Sequence, residues 1–132
     1  GQWLAASRTR QTGQLKLFVS ADEGQTWAEG GLVTKMQQHP ADLERLADGR
    51  ILLVYGNRTA AQYGVDALVS DDGGHTWSER MQLANLKGAK DGGYPSSVQL
   101  ADGTLVTAYY AQGAPYHPEY HMGVVRWRLD QS

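Results

Sequence analysis

The chain has 132 residues, of which 41% are hydrophobic and 20% are charged, and its formal net charge is −2. This length suits a single domain, and the hydrophobic content excludes a disordered tail. The sequence lacks a basic block and a long apolar run, so neither nucleic acid nor a membrane is an expected partner. Because there is no cysteine, a disulfide framework, a thiolate zinc site and a cysteine nucleophile are excluded.

Glycine and aromatic residues dominate the local pattern, with 16 glycines, seven tyrosines and four tryptophans. This composition predicts short strands joined by tight turns, and no window has sustained helical periodicity. In chain order, the predicted strands lie at residues 3–7, 41–46, 51–56, 65–70, 80–84, 95–100, 104–110 and 122–129. An Asp48-Gly49 turn joins two of them, as is typical of tight hairpins, and longer loops cover residues 57–64 and the segment before residue 122. The fold class is therefore all-β.

The sequence also repeats. Residues 20–27, SADEGQTW, match residues 70–77, SDDGGHTW, 50 positions later, and LADG occurs at both 46–49 and 100–103. A four-stranded unit at this period is typical of β-propeller blades. The predicted repeats span approximately residues 1–38, 39–92 and 93–132. The first lacks its first strand and the last lacks its fourth, which makes about two and a half blades. Since propellers have about four to eight blades, we expect either missing N-terminal blades or self-association.

Both octapeptides fit the Asp-box pattern S-x-D-x-G-x-T-W, and this pattern predicts a structural turn. The aspartate accepts backbone N–H groups, the glycine supplies a positive φ, and the tryptophan covers the hairpin. The residues given this structural role are Ser20, Asp22, Gly24, Trp27, Ser70, Asp72, Gly74 and Trp77. A metal site is not expected there, because further ligands at suitable spacing are missing.

These boxes, together with the QHPADL, LADGR and GYPSSVQL segments beginning at residues 38, 46 and 93, resemble the C-terminal part of a sialidase-like six-bladed propeller. The resemblance implies a glycoside hydrolase that acts on sialic acid or another acidic sugar, with no cofactor and with a carbohydrate as its partner. It also implies that the Asp-boxes lie opposite the active site. A secreted or periplasmic location is expected for such a protein, although these residues do not fix the compartment.

Arg8 and Arg58 occupy the same position in successive repeats, just after the second strand. Guanidinium groups bind carboxylates through paired hydrogen bonds. The resemblance implies that these arginines are the second and third members of the sialidase carboxylate-binding triad. The first member has no counterpart here, and Arg10 is an alternative to Arg8.

Tyr94 opens the last repeat, where the resemblance implies the nucleophile of a retaining mechanism, although Pro95 departs from the family pattern. A phenol needs a nearby general base, and the family's Glu base and Asp acid/base have no counterpart in the chain. We therefore expect little activity from this chain alone. Packing of Tyr94 on Pro95 is the structural alternative.

Two more groups are predicted to bind substrate, and the alternatives are a structural role for His39 and an ordinary polar loop for the two later histidines. His39 precedes the first strand of the middle repeat as Tyr94 precedes that of the last, and Asp42 follows it. His117 and His121 lie in the predicted long loop of the last repeat, where the proline and the missing HExxH pattern argue against zinc. Two other functions remain open: a non-catalytic glycan-binding module, and an interaction scaffold built of Asp-box blades.

Overall fold

The computed structural model describes residues 1–87, 89, 91–114 and 116–130, and these residues form ten β-strands and no helix. The strands are β1 (Trp3–Arg8), β2 (Leu15–Ser20), β3 (Ala28–Leu32), β4 (Gln38–Arg45), β5 (Ile51–Asn57), β6 (Gly64–Ser70), β7 (Met81–Asn85), β8 (Asp91–Gln99), β9 (Leu105–Ala114) and β10 (His117–Trp127). Within those described ranges, no helix is long and apolar enough to cross a membrane.

The strands form three antiparallel sheets: β1-β2-β3, β4-β5-β6-β7 and β8-β9-β10, which we call blades 1, 2 and 3. Only the middle blade has four strands in the described part of the chain. Blade 1 begins at the strand equivalent to β5, and blade 3 stops at the strand equivalent to β6. The prediction of an all-β partial propeller is therefore confirmed.

The middle blade is packed on both faces. All seven residues of β5 are buried, and alternate side chains belong to different cores. Leu52 and Val54 pack with Leu105 and Ala111 of blade 3, whereas Leu53 and Tyr55 pack with Leu15 of blade 1. Successive side chains of a strand point to opposite faces. Because both faces of β5 are covered, its sequence is a continuous apolar run rather than an alternation of apolar and polar residues.

The first strands of blades 2 and 3 each contain a bulge at an X-Pro step. The register shifts between Gln38 and Ala41 in β4, and between Gly93 and Ser96 in β8. Proline lacks a backbone N–H and is tolerated at bulges, where no ladder bond is lost. For this reason β4 and β8 begin earlier than the predicted starts at residues 41 and 95.

The expectation of a long loop carrying His117 and His121 is wrong. Both residues lie in β10, and they pair with Ala114 and Ala111 of β9. Pro118 falls within a register shift between His117 and Tyr120, so the strand continues past it. Hydrogen bonding to β9 therefore overrides the polar, proline-containing sequence of this segment.

The connections divide the molecule into two ends. β1, β5 and β9 finish where β4, β8 and β10 begin, and we call this the site end. The Asp-box turns and the Asp-Gly hairpins lie at the opposite end, which we call the Asp-box end.

Internal hydrogen bonds hold both Asp-box turns. In the first, Asp22 accepts hydrogen bonds from the backbone N–H of Thr26 at 2.8 Å and from its hydroxyl at 2.6 Å, while the indole of Trp27 donates to Gly24 at 3.0 Å. The second turn repeats this pattern with Asp72. The hydrogen bonds to the carboxylate of Asp22, led by that from the Thr26 hydroxyl, lower its pKa to about 2. Each aspartate is therefore a fixed turn anchor.

Candidate functional site

Arg8 and Arg58 lie at equivalent places at the site end. Arg8 is the last residue of β1, and Arg58 directly follows β5. His39 sits in the β4 bulge and is only 5% exposed. Burial lowers the pKa of His39, and the positive charges of Arg8 and Arg58 lower it further. The site end therefore holds two guanidinium groups around a neutral imidazole.

Arg58 connects blade 2 to blade 3. Its Nη2 donates to the carbonyl of Gly92 at 3.2 Å and lies 3.5 Å from Oδ1 of Asp91. Its backbone N–H donates to the Gln37 carbonyl at 2.8 Å. The distance to Asp91 is long for a charge-assisted bond, and the buried Nε of Arg58 has no hydrogen-bond partner. The guanidinium is thus positioned by the fold but not saturated.

Tyr94 lies beside this guanidinium. The Cζ of Arg58 is 5.6 Å from the centre of the Tyr94 ring, within the range of a cation–π contact. Tyr94 is 54% exposed and has a φ of 48°, which is rare for an aromatic residue. Residues held in such sparsely populated conformations cluster at functional sites. The backbone conformation of Tyr94 therefore indicates a functional position, whatever the chemistry of its side chain.

Sequence reasoning missed Asp91, Tyr110 and Tyr120, which complete the cluster. The hydroxyl of Tyr110 donates to Oδ1 of Asp91 at 2.8 Å, and that of Tyr120 approaches Oδ2 at 3.3 Å. The bond from Tyr110 is the main cause of the lowered pKa of Asp91. Burial, then the bond to Asp91, raises the pKa of Tyr110 to about 12. At neutral pH the cluster therefore holds an anion fixed by neutral phenols.

Comparison with known proteins identifies the family of this chain. A profile of the BNR repeat-like domain matches residues 1–107. The chain belongs to the BNR repeat-like domain family. No curated protein matches it at a significant level.

Solved structures show the same fold for this BNR repeat-like domain. A Dyadobacter fermentans protein of unknown function is 30% identical over 98% of the chain, with a TM-score of 0.76. An ulvan lyase bound to -[GlcA(1-4)Rha3S]- is 14% identical over 85% of the chain, with a TM-score of 0.62. A Penicillium chrysogenum α-L-arabinanase complexed with arabinobiose is 17% identical over 96% of the chain, with a TM-score of 0.64. The chain spans 35%, 29% and 46% of these proteins, respectively.

The remaining predicted residues of the BNR repeat-like domain are placed less centrally. Asp42 lies on β4, and its Oδ2 accepts the backbone N–H of Ser97 at 2.7 Å, which ties blade 2 to blade 3. The rings of His117 and His121 stack on each other at 4.5 Å, and Tyr116 contacts the latter edge-on. The contacts found for these histidines do not include Arg58 or Asp91. Instead, their neighbour Tyr120 reaches the cluster.

Two observations bear on what this site can hold. Arg58, Asp91 and Gly92 line a cavity of about 40 Å³ between blades 2 and 3, which leaves room for a small polar group beside the guanidinium. Among the described residues, no group of three or more histidine, aspartate and glutamate side chains is arranged to hold a metal ion.

Proposed function

We propose that the site end binds the carboxylate of an acidic sugar, and that the chain is part of a carbohydrate-active propeller. The observation that carries this proposal is the placement of Arg8 and Arg58 at equivalent strand ends around buried His39. His39 is neutral and so adds no charge, and the carboxylate that contacts this group, Asp91, lies at the long distance of 3.5 Å from Arg58. Such a site favours an anion, and the planar guanidinium matches a carboxylate.

Asp91 already contacts Arg58, so a carboxylate ligand would have to share this guanidinium with Asp91. The 3.5 Å separation is long for a charge-assisted bond, so the guanidinium keeps donor capacity for a ligand. Two structures with the same fold were solved with saccharides bound, GlcA(1-4)Rha3S and arabinobiose. They support an acidic sugar as the ligand in preference to a carboxylate compound that is not a sugar. The first of these ligands contains a uronic acid.

The finer proposal is sialidase-like retaining hydrolysis in the intact protein. The Tyr94 oxygen would bond to the anomeric carbon as its proton passes to a base, while the glycosidic bond breaks and the departing oxygen is protonated. Water would then cleave the glycosyl–tyrosine bond. The exposure of Tyr94 and its contact with Arg58 support this role. The general base and the acid/base of sialidases have no counterpart among these 132 residues, so we expect little turnover from them alone.

Binding tests the carboxylate proposal directly. Titration calorimetry should compare sialyllactose and ulvan oligosaccharides with neutral lactose. Arg58→Ala should weaken binding of the acidic ligands by about tenfold to a hundredfold, since hydrogen bonds to charged groups contribute about 1.5–3 kcal/mol. Arg128→Ala is the matched control, because Arg128 bonds to Asp102 at the Asp-box end. Equal binding of lactose, or unchanged affinity in Arg58→Ala, contradicts the proposal.

Covalent trapping tests the finer proposal. A longer protein containing this domain should be incubated with a fluorinated sialosyl donor, digested and analysed by mass spectrometry. The adduct should lie on the peptide containing Tyr94 and should be missing from Tyr94→Phe. A non-catalytic binding module instead predicts no adduct, no turnover and unchanged ligand affinity in Tyr94→Phe.

A further inference from the structure

The site end carries a row of three tyrosine rings that begins beside Arg58 and continues across blade 3. The centres of the Tyr94 and Tyr110 rings are 5.6 Å apart, and those of Tyr110 and Tyr120 are 6.2 Å apart. Tyr94 is 54% exposed and Tyr120 is 60% exposed. The row begins at Arg58, which lies over Tyr94, and runs from β8 across β9 to β10.

The row is held rigid from one side. Asp91 accepts the hydroxyl of Tyr110 on one carboxylate oxygen and that of Tyr120 on the other. A shared anion therefore fixes the tips of two rings while Tyr120 stays largely exposed. Rigid aromatic rings with a satisfied polar tip offer contact area at low entropic cost.

A comparison of blades separates this row from an ordinary blade-packing face. In the LADG alignment, Gly56 of blade 2 corresponds to Tyr110 of blade 3, and Val54 corresponds to Ala108. Blade 3 approaches Gly56 so closely that an added Cβ would lie 3.3 Å from the Gly93 Cα, and it would also lie 2.9 Å from the His39 carbonyl oxygen of its own blade. A tyrosine at the equivalent position prevents the same approach on the far side of blade 3. The site end of that face is therefore built differently from the tightly packed interface between blades 2 and 3.

We propose that this tyrosine row forms a stacking surface for an acidic glycan chain whose carboxylate lies at Arg58, with Tyr94 beside the terminal sugar and with Tyr110 and Tyr120 under the further sugar units. This inference rests on the proposed function and makes it more specific, because the ligand becomes an oligosaccharide or polysaccharide rather than a single terminal sugar. Sugar rings have apolar faces that pack on aromatic rings. The exposed Tyr120 lies at the far end of the row from the arginine.

The test is the dependence of affinity on chain length. Binding of methyl glucuronide and of ulvan oligosaccharides of two, four and six sugars should be measured by titration calorimetry. We expect affinity to rise about tenfold or more from the monosaccharide to the tetrasaccharide. In Tyr120→Ala that gain, measured relative to the variant's own affinity for the monosaccharide, should fall by about tenfold. Tyr120→Phe, which keeps the ring and loses the hydroxyl, should retain most of the gain.

The control is Tyr116→Ala, which removes an equally exposed tyrosine whose ring packs on His121 instead. Monosaccharide binding without any gain in longer chains, or a full gain in Tyr120→Ala, overturns the stacking surface but leaves the carboxylate site standing. Loss of all acidic-sugar binding in the unmodified chain overturns both.

Discussion

Gly56 is the position where an added methyl group should most directly disturb the site. It lies on buried β5, and an alanine Cβ there would lie 2.9 Å from the carbonyl oxygen of His39 and 3.3 Å from the Cα of Gly93. Both neighbours are backbone atoms, in or next to the two bulges that present His39 and Tyr94. The methyl group can therefore be accommodated only if the β4 bulge shifts within blade 2 and blade 3 moves away.

We expect Gly56→Ala to destabilise the fold by about 1–3 kcal/mol, the usual cost of overpacking. The entropy of unfolding is about 0.28 kcal/mol/K for 132 residues, which converts this cost into a fall in the melting temperature of about 4–11 °C. Thermal unfolding followed by circular dichroism measures the effect. Affinity for an acidic glycan should fall as well, because the bulges hold the site.

Gly30→Ala is the graded control, since its Cβ would lie 3.3 Å from the Cβ of Leu17 and since Gly30 is on the exposed edge strand β3, which can shift. Its melting temperature should fall by less than half as much. A Gly56→Ala variant that melts within 1 °C of the unmodified chain, or a Gly30→Ala variant that is equally destabilised, would refute this reasoning about close blade contact.

Three other predictions concern stability and charge. The hydrogen bonds that lower the pKa of Asp22 to about 2 stabilise the fold fully above its ordinary value of 3.8 and are lost as pH falls towards 2; unfolding midpoints measured from pH 5 to 2 should therefore fall less steeply in Asp22→Asn. His39, whose pKa lies below 6.5, should be neutral at pH 7 and should oppose folding when it is protonated at lower pH. An NMR titration should show this low pKa rising in Arg58→Ala, and no change there would contradict the assigned proximity. Leu52→Ala should cost about 2–5 kcal/mol in urea unfolding because Leu52 is fully buried between blades 2 and 3, and a cost below 1 kcal/mol would argue against that core.

The sequence predicts the blades well because their signals are local. The two Asp-box turns recur 50 residues apart, and the continuous apolar run at residues 51–55 marks a strand that is buried on both faces. The equivalence of Arg8 and Arg58 follows from the same repeat, and the structure places both at one end. Each motif lies within a segment of a few residues, and the repeat relates one segment to the next, so a single sequence is sufficient to find them.

The rest of the site depends on contacts between distant residues. Asp91 is 19 residues from Tyr110 and 29 from Tyr120, and only the β8-β9-β10 pairing brings them together. Asp42 was assigned to substrate binding because it follows His39, whereas its oxygen is bonded to the backbone of Ser97, 55 residues away. The sequence offered two signals for these residues. They were Asp91 directly before a Gly-Gly-Tyr-Pro run, and a Tyr-Tyr pair in the next strand.

Strand limits in blade 3 were obscured by proline. Pro95 and Pro118 suggested a strand start and a loop, respectively, yet both lie in register shifts inside longer strands. The bulges absorb the missing N–H groups and let β8 and β10 extend to the site end. Propensity alone therefore underestimates how far the sheet reaches towards the functional residues.

The most direct test of the account is an NMR titration of the ¹⁵N-labelled chain with an acidic oligosaccharide. We predict that the backbone signals of Arg8, Arg58 and Tyr94 shift in a saturable manner, while those of Asp22 and Asp72 at the Asp-box end do not. Saturable shifts confined to the Asp-box end, or identical shifts with a neutral oligosaccharide, would contradict the assignment of the site end as a carboxylate-binding site.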